Sequence, residues 1–180
     1  MPRGRHSELE CFVLGLVWQL GGCSAYDVRR TMGDSPSSQW SASTGAIYPL
    51  MRRLQRQGLV TMKQEKTGQR ARRVYTITTT GRRVLRQWVG PPLAPEAISV
   101  AHDPLRSRAR FLGVLSPEER DAWVRAATSA LAEIMARVRA WEQKYGPRDE
   151  FQRLVSRNGE LETQARQAWL NEMAERLKHC

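Results

Sequence analysis

The segment from Ser43 to Leu54 carries residue types that can bind a nucleic acid, at a spacing that holds them on one side of a helix. At about 100° per residue, one face collects the apolar side chains Ile47, Leu50, Met51 and Leu54. The opposite face collects Gly45, Tyr48, Arg52 and Arg56, and Ser43 is expected to cap the helix. Glycine permits close approach of the backbone, while tyrosine and arginine reach phosphates and base edges. The pattern therefore predicts a helix that lies in a DNA groove.

A basic hairpin is expected directly after this helix. Gly58 ends the helix, and two β-prone runs at residues 59–65 and 72–78 flank a glycine-containing loop at residues 66–71. The positive side chains of this hairpin are Lys63, Lys66, Arg70, Arg72 and Arg73. A further amphipathic helix begins near Gly81 and carries Val84, Leu85, Trp88 and Val89. A helix, a basic hairpin and another helix in this order predict a winged helix-turn-helix.

Two more helices are expected before the DNA-facing one. Ser7 and Glu10 form a capping-box pattern ahead of an apolar run that ends at Gly21-Gly22, and Ser24 can cap the next short helix. The same run, followed by Cys23, also resembles a lipoprotein signal. Glu8 and Glu10 interrupt that pattern, so we expect the run to be the first helix of the domain. Trp40 is expected either to pack under the wing or to anchor the core.

The order of residues resembles the PadR family of bacterial transcriptional regulators. The resemblance rests on Thr44-Gly45-Ala46-Ile47-Tyr48-Pro49, then Leu54, Gly58-Leu59-Val60, Gly68, Arg72, Val74-Tyr75, Ile77-Thr78 and Gly81. It is strongest from Leu9 to Trp88. Beyond that it rests on helix layout, on His102-Asp103-Pro104-Leu105 and on Arg166-Gln167-Ala168-Trp169-Leu170. The resemblance implies the longer form of the family, with a helical dimerisation domain. The chain departs from the family at Ala25, where glycine is usual.

Individual DNA contacts follow from this interpretation. Ser43, Thr44, Gly45, Tyr48 and Arg52 are expected to enter or border the major groove. Arg53 and Arg56 are expected at phosphates, with a solvated flank as the alternative for Arg53. Lys66, Gln69, Arg70, Arg72 and Arg73 are expected to place the wing on the DNA backbone or an adjacent minor groove.

Charge is distributed unevenly along the 180 residues. Residues 1–90 carry 15 lysines and arginines against 5 aspartates and glutamates, a net charge of +10, while residues 91–180 carry 14 against 13. A basic half joined to a neutral half indicates a module that binds a polyanion, attached to a separate scaffold. A merely solvated basic surface is the alternative.

The second half is expected to associate with a second copy of the chain. The proline-rich break at residues 90–95 places the boundary between a DNA-binding domain at 1–90 and a helical domain at 91–180. A heptad spacing runs through Val124, Ala127, Leu131, Ile134, Val138, Trp141 and Tyr145. The last helix adds Leu161, Ala165, Trp169 and Met173 to the expected dimer interface. An antiparallel helix pair within one chain is the alternative.

Other kinds of function find less support in the sequence. No convergent catalytic set or metal-ligand spacing is present, so we expect neither an enzyme nor a cofactor. A winged-helix adaptor that binds protein partners is the main alternative to a DNA-binding regulator. The family resemblance implies a possible small aromatic or drug-like effector, for which Trp88, Trp123, Trp141 and Trp169 are candidates. Cys23 and Cys180 are candidates for redox sensing. The protein is expected in the cytoplasm, associated with the nucleoid and not with a membrane.

Overall fold

The computed structural model describes residues 6–35, 40, 43–67, 70–99, 102–147 and 149–178, and the side chains of residues 66, 67 and 70 are not part of this description. The chain divides into two compact units, residues 1–99 and 100–180. Each unit is mostly helical, and the N-terminal unit also holds a two-stranded antiparallel sheet. This agrees with the predicted fold class.

Two capped helices open the N-terminal unit. Helix α1 spans Glu8–Leu20 and helix α2 spans Ala25–Gly33. Each begins with a capping box, formed by Ser7 and Glu10 in α1 and by Ser24 and Asp27 in α2. Gly21 ends α1 with a left-handed backbone, a conformation that glycine adopts without steric cost. The apolar run therefore forms the first helix of the domain, as predicted.

The remaining elements of this unit follow in the predicted order. Helix α3 spans Ile47–Arg56, strand β1 Val60–Thr67, strand β2 Arg70–Ile77 and helix α4 Thr79–Val89. The strands pair in register from Val60 opposite Ile77 to Thr67 opposite Arg70. They are longer than predicted, because Lys66, Arg70 and Ala71 belong to strands and not to the loop. Antiparallel strands need a connection of only two residues, so pairing continues almost to the tip.

A short bridge joins the wing to the helices. Cys23 pairs with Tyr75 of β2 through two backbone hydrogen bonds, of 3.0 and 2.8 Å. Leu59, between α3 and β1, accepts a backbone hydrogen bond from Thr78 at 3.0 Å. These bonds fix the base of the wing beside α2 and α4, so the positions of the wing and of α3 are coupled.

The core of the N-terminal unit is formed by apolar faces of α1, α2 and α3 together with the base of the wing. Its most enclosed side chains include Leu14, Val17, Val28, Met32 and Ile47. Trp40 stacks on Phe12 of α1, with ring centroids 3.8 Å apart. Trp40 is therefore an anchor of the core, because the flat face of Phe12 offers it a stacking partner.

The C-terminal unit contains two long helices that pack against each other. Helix α5 spans Pro95–Ile98 at the end of the first unit, α6 spans Pro104–Ala109, α7 spans Pro117–Tyr145 and α8 spans Glu150–Leu177. Ser116 and Glu119 form the capping box of α7, and Gly146 ends it, as predicted. Asp103 caps α6 and pairs with Arg166 of α8 at 2.9 Å. No helix in the described ranges is long and apolar enough to cross a membrane.

Candidate nucleic-acid interface

Helix α3 separates an apolar face from a polar one, as its sequence predicts. Ile47, Met51 and Leu54 are fully buried, and Leu50 is 2% exposed. The outer face exposes Tyr48, Pro49, Arg52, Gln55 and Arg56 to solvent. Burial of four apolar side chains holds the helix rigidly, so its outer side chains form a preorganised surface.

The start of α3 differs from the expected cap. Residues Thr44–Ala46 form a 3-10 turn, the α-helix begins at Ile47, and the Ser43 side chain makes no capping hydrogen bond. The Ser43 carbonyl instead accepts the Ala46 N–H at 3.2 Å. A 3-10 turn bonds residues three apart, so backbone groups satisfy the first turn in place of the serine hydroxyl. A Cβ added at Gly45 would meet nothing within 4 Å, so its backbone lies open on the surface.

Arg53 points toward the protein and not only toward solvent. Its Nε donates to Oε1 of Glu10 at 2.7 Å, which joins α3 to the first turn of α1. Burial alone would raise the pKa of Glu10, but hydrogen bonds from Ser7 and Arg53 lower it below the usual value. Glu10 is therefore ionised at neutral pH and keeps Arg53 paired. Neither role expected for Arg53, a phosphate contact or a solvated flank, included this pairing.

The wing presents two kinds of arginine. Arg73 is exposed opposite Gln64, while Arg72 forms an ion pair with Asp27 of α2. Burial raises the pKa of Asp27, but hydrogen bonds from Ser24 and the nearby Arg72 lower it overall. Lys66 and Arg70 lie at the ends of the strands without described side chains, and Gln69 lies outside the described residues.

Helix α2 adds an aromatic and basic surface that the sequence interpretation missed. Tyr26 is 51% exposed, and the guanidinium carbons of Arg29 and Arg30 lie 5.8 and 5.9 Å from its ring centroid. Helix α2 packs against α3, so this surface belongs to the same helix-turn-helix. Spacing of three and four residues between a tyrosine and two arginines is the signal that could have revealed it.

Cys11 and Cys23 are buried, and burial raises the pKa of each thiol to about 11, so both remain protonated at neutral pH. The backbone of Cys23 forms the bridge to Tyr75. Cys180 lies outside the described residues. Within the described ranges, no three histidine, cysteine or acidic residues lie close enough together to hold a metal ion.

The expected dimer residues divide into enclosed and exposed groups in the single chain. Val124 and Leu131 are 6% and 5% exposed, and Leu170 of α8 is fully buried. Ile134 is 41% exposed and Leu161 48%, and Ala165 is also exposed. The others are half-buried, namely Ala127, Val138, Trp141, Trp169 and Met173. The heptad face is thus partly covered within the chain, as the alternative of an antiparallel helix pair anticipated.

The four tryptophans proposed for an effector occupy different surroundings. Trp88 donates its indole N–H to the Glu8 carboxylate at 3.1 Å. The Trp141 ring lies 5.7 Å from that of Tyr145. Trp123 and Trp169 are half-buried. Trp88 therefore has a polar partner of its own, in α1.

Each of the two units matches a known protein family. Residues 13–87 match the transcriptional regulator PadR-like family, and residues 102–178 match the virulence activator alpha C-terminal family. The negative transcriptional regulator PadR of Bacillus subtilis is 29% identical over 114 residues, which span 62% of this chain but only 60% of that protein.

Solved structures share the fold at low sequence identity. B. subtilis PadR in complex with operator DNA is 21% identical, with a TM-score of 0.79, 95% of this chain covered and 99% of the other. The same protein in complex with p-coumaric acid is 20% identical, with a TM-score of 0.74. The match covers 94% of this chain and 95% of the other. With a winged helix-turn-helix in the N-terminal unit and family matches across both units, the chain belongs to the PadR-like family of transcriptional regulators.

Proposed function

We propose that this transcriptional regulator is a repressor that binds a pseudo-palindromic operator as a homodimer. The outer face of α3 carries this proposal. Tyr48, Arg52 and Arg56 lie together on the exposed face of a helix whose other face is buried in the core. Arginine pairs bidentately with guanine or with phosphate, and a tyrosine hydroxyl both donates and accepts. This face is suited to reading base edges in the major groove.

The residues around α3 complete the proposed contact surface. Ser43, Thr44 and Gly45 precede the helix at its exposed end, where an open glycine backbone allows a phosphate to approach closely. Arg73, which is exposed on β2, adds a further positive side chain to the N-terminal unit. Because phosphate contacts release counterions, we expect binding to weaken steeply with salt.

A homodimer is supported by apolar side chains that a single chain leaves in solvent. On α8, Phe151, Leu154 and Val155 are 79%, 60% and 75% exposed, and Leu161 lies further along the same helix face. Exposed apolar side chains in a contiguous stripe mark association sites. A two-fold dimer would present two α3 helices about 34 Å apart, one DNA turn, which selects an operator with two half-sites.

An effector is the remaining part of the proposal. B. subtilis PadR has been crystallised with p-coumaric acid, a phenolic acid, and this chain shares its fold. We propose a small aromatic effector that releases the operator. A thermal-shift screen with phenolic acids and cationic drug-like compounds should find at least one that raises the Tm.

The experiment that tests the proposal is a salt titration of operator binding by the full chain. The probes are the duplex upstream of its own gene and a scrambled duplex of equal length. We expect tighter binding to the upstream duplex and a steep salt dependence with both. Equal affinity for the two would contradict sequence-specific binding there, and no binding to either at low salt would favour the adaptor.

Single-residue variants then locate the reading surface. Arg52→Ala should weaken operator binding by about 1–3 kcal/mol and relax sequence preference, if Arg52 reads a base. Arg137→Ala is the matched control, because it removes the same charge from exposed surface of α7. Normal operator binding by a variant changed at both Tyr48 and Arg52 would refute the role of α3.

The dimer is tested by its mass in solution. Val155→Asp places a charge on the exposed stripe of α8 and should shift the protein from dimer to monomer. Gln164→Glu adds the same charge elsewhere on α8 and should leave the mass unchanged. Light scattering after gel filtration measures both. A monomeric wild type would refute the dimer.

A further inference from the structure

Glu10 is the one charged residue that is buried among those the structure describes, and both of its oxygens are occupied. Oε2 accepts the Ser7 N–H at 2.8 Å, which closes the capping box of α1. Oε1 accepts Arg53 Nε of α3 at 2.7 Å. A buried carboxylate is costly unless it is paired and hydrogen-bonded. The start of α1 is thus tied directly to the DNA-facing helix.

The same arrangement recurs between α2 and the wing. Oδ2 of Asp27 accepts the Ser24 N–H and the Ser24 hydroxyl, both at 2.8 Å. It also accepts a hydrogen bond from Arg72 of β2. Two arginines that the sequence assigned to DNA are therefore each held by a carboxylate at the third position of a helix. Each carboxylate is itself fixed by a capping box.

We propose that Arg53 and Arg72 are positioning residues, which hold α3 and the wing through the capping carboxylates Glu10 and Asp27. A carboxylate with a second hydrogen bond to its own helix cannot swing freely, so the paired guanidinium is fixed relative to α1 or α2. The proposal rests on the DNA-binding function proposed above. It separates these arginines from Arg52 and Arg56, which lie on the exposed face of α3.

Neutralising one of these carboxylates should change the affinity for DNA in a direction that distinguishes a positioning role from a direct contact. Removing a negative charge from a DNA-binding protein should, by long-range electrostatics alone, strengthen its binding to DNA. If Arg53 contacted a phosphate directly, loss of Glu10 would also free the guanidinium and strengthen binding. A positioning role predicts the opposite result, since loss of Glu10 lets α3 shift from its reading position.

The test compares Glu10→Gln, Arg53→Gln and the double variant in the full chain. Each should weaken operator binding about tenfold, and the double variant should also be about tenfold weaker and not a hundredfold. Glu8→Gln is the matched control, because it removes the same charge from the same turn, while Arg53 pairs with Glu10 and the amide oxygen of glutamine can still accept the Trp88 N–H. It should leave affinity equal or slightly higher. Ser7→Ala removes only the N-cap side chain of α1, so its operator affinity measures the effect of losing the cap alone.

The wing pair provides a parallel measurement. Asp27→Asn and Arg72→Gln should each weaken operator binding, again without an additive effect in the double variant. Glu65→Gln is the control, since Glu65 faces Arg72 across the strands but the ion pair goes to Asp27. It should not weaken binding.

Amide hydrogen exchange decides the proposal independently of DNA. In the free protein, Glu10→Gln and Arg53→Gln should accelerate exchange in α3 by the same factor, while Glu8→Gln should not. Unchanged exchange in α3, or operator binding by Glu10→Gln as tight as that of the wild type, would overturn the proposal. A salt slope reduced by about 0.9 in Arg53→Gln would then assign Arg53 to a phosphate. A wild type that does not distinguish operator from scrambled duplex would refute the proposed function, while exchange would still decide the positioning role.

Discussion

Gly81 lies where the turn after α3, the base of the wing and α4 meet, so a methyl group there should disturb all three. A Cβ added at Gly81 would lie 2.2 Å from the Leu59 carbonyl oxygen and 2.9 Å from Cγ1 of Ile77. Contacts with backbone atoms below 3.0 Å require the backbone to move. Leu59 O also accepts hydrogen bonds from the Thr78 N–H and hydroxyl, at 3.0 and 3.1 Å. Moving this carbonyl therefore disturbs its bonds as well as its packing.

The expected cost of Gly81→Ala follows from these two effects. Overpacking a core typically costs about 1–3 kcal/mol, and a weakened buried hydrogen bond adds about 1 kcal/mol or more. The better helix propensity of alanine returns up to about 1 kcal/mol. We expect a net loss of about 1–4 kcal/mol in the free energy of unfolding of the N-terminal unit.

Urea titration read by hydrogen exchange in α1–α4 measures this loss for the N-terminal unit. Gly45→Ala is the control within the same unit, because its added Cβ meets nothing within 4 Å. Its free energy of unfolding should stay within about 0.5 kcal/mol of that of the wild type. If Gly81→Ala had an unchanged midpoint, the close approach between α4 and Leu59 would not be rigid, and the coupling of wing and helices would be refuted.

Three further predictions concern charge, acid and domain architecture. Arg56→Gln should reduce the log–log salt slope of DNA binding by about 0.9, measured by fluorescence anisotropy, and an unchanged slope would exclude a phosphate contact. Because the folded pKa values of Glu10 and Asp27 lie below 4.5 and 3.8, the stability they contribute is complete above those values and is lost as pH falls through the lower folded values. In the Glu10→Gln/Asp27→Asn variant, the free energy of unfolding should therefore decrease less as the pH falls, as measured by acid unfolding followed by circular dichroism. A fragment ending at Gly90 should bind the operator about 10²-fold more weakly than the full chain, and equal affinity would show that dimerisation does not contribute.

Local sequence patterns were sufficient for the elements of the N-terminal unit. The capping boxes at Ser7 and Ser24 and the apolar face of α3 depend on residues only three or four positions apart. Such interactions are encoded by spacing alone. The same holds for the start of α7 at Pro117 and for its end before Gly146.

Long-range pairing could not be derived in this way. Glu10 and Arg53 are 43 residues apart, and Asp27 and Arg72 are 45 apart. Local spacing does not report which distant groups meet, because that depends on how helices and strands pack. For the same reason, the sequence did not predict that Cys23 would pair with Tyr75 or that Trp40 would stack on Phe12.

Amphipathic periodicity and charge are local properties, so the order of residues was enough to predict a winged helix-turn-helix with a basic outer face on α3. Which arginines are exposed for a ligand depends on the packing of distant elements. Arg52 and Arg56 lie on the exposed face of α3, whereas Arg53 and Arg72 are held by carboxylates from other helices. A guanidinium looks the same in sequence whether it faces solvent or a buried acid. The packing of α1 and α2 against α3 and the wing makes that distinction.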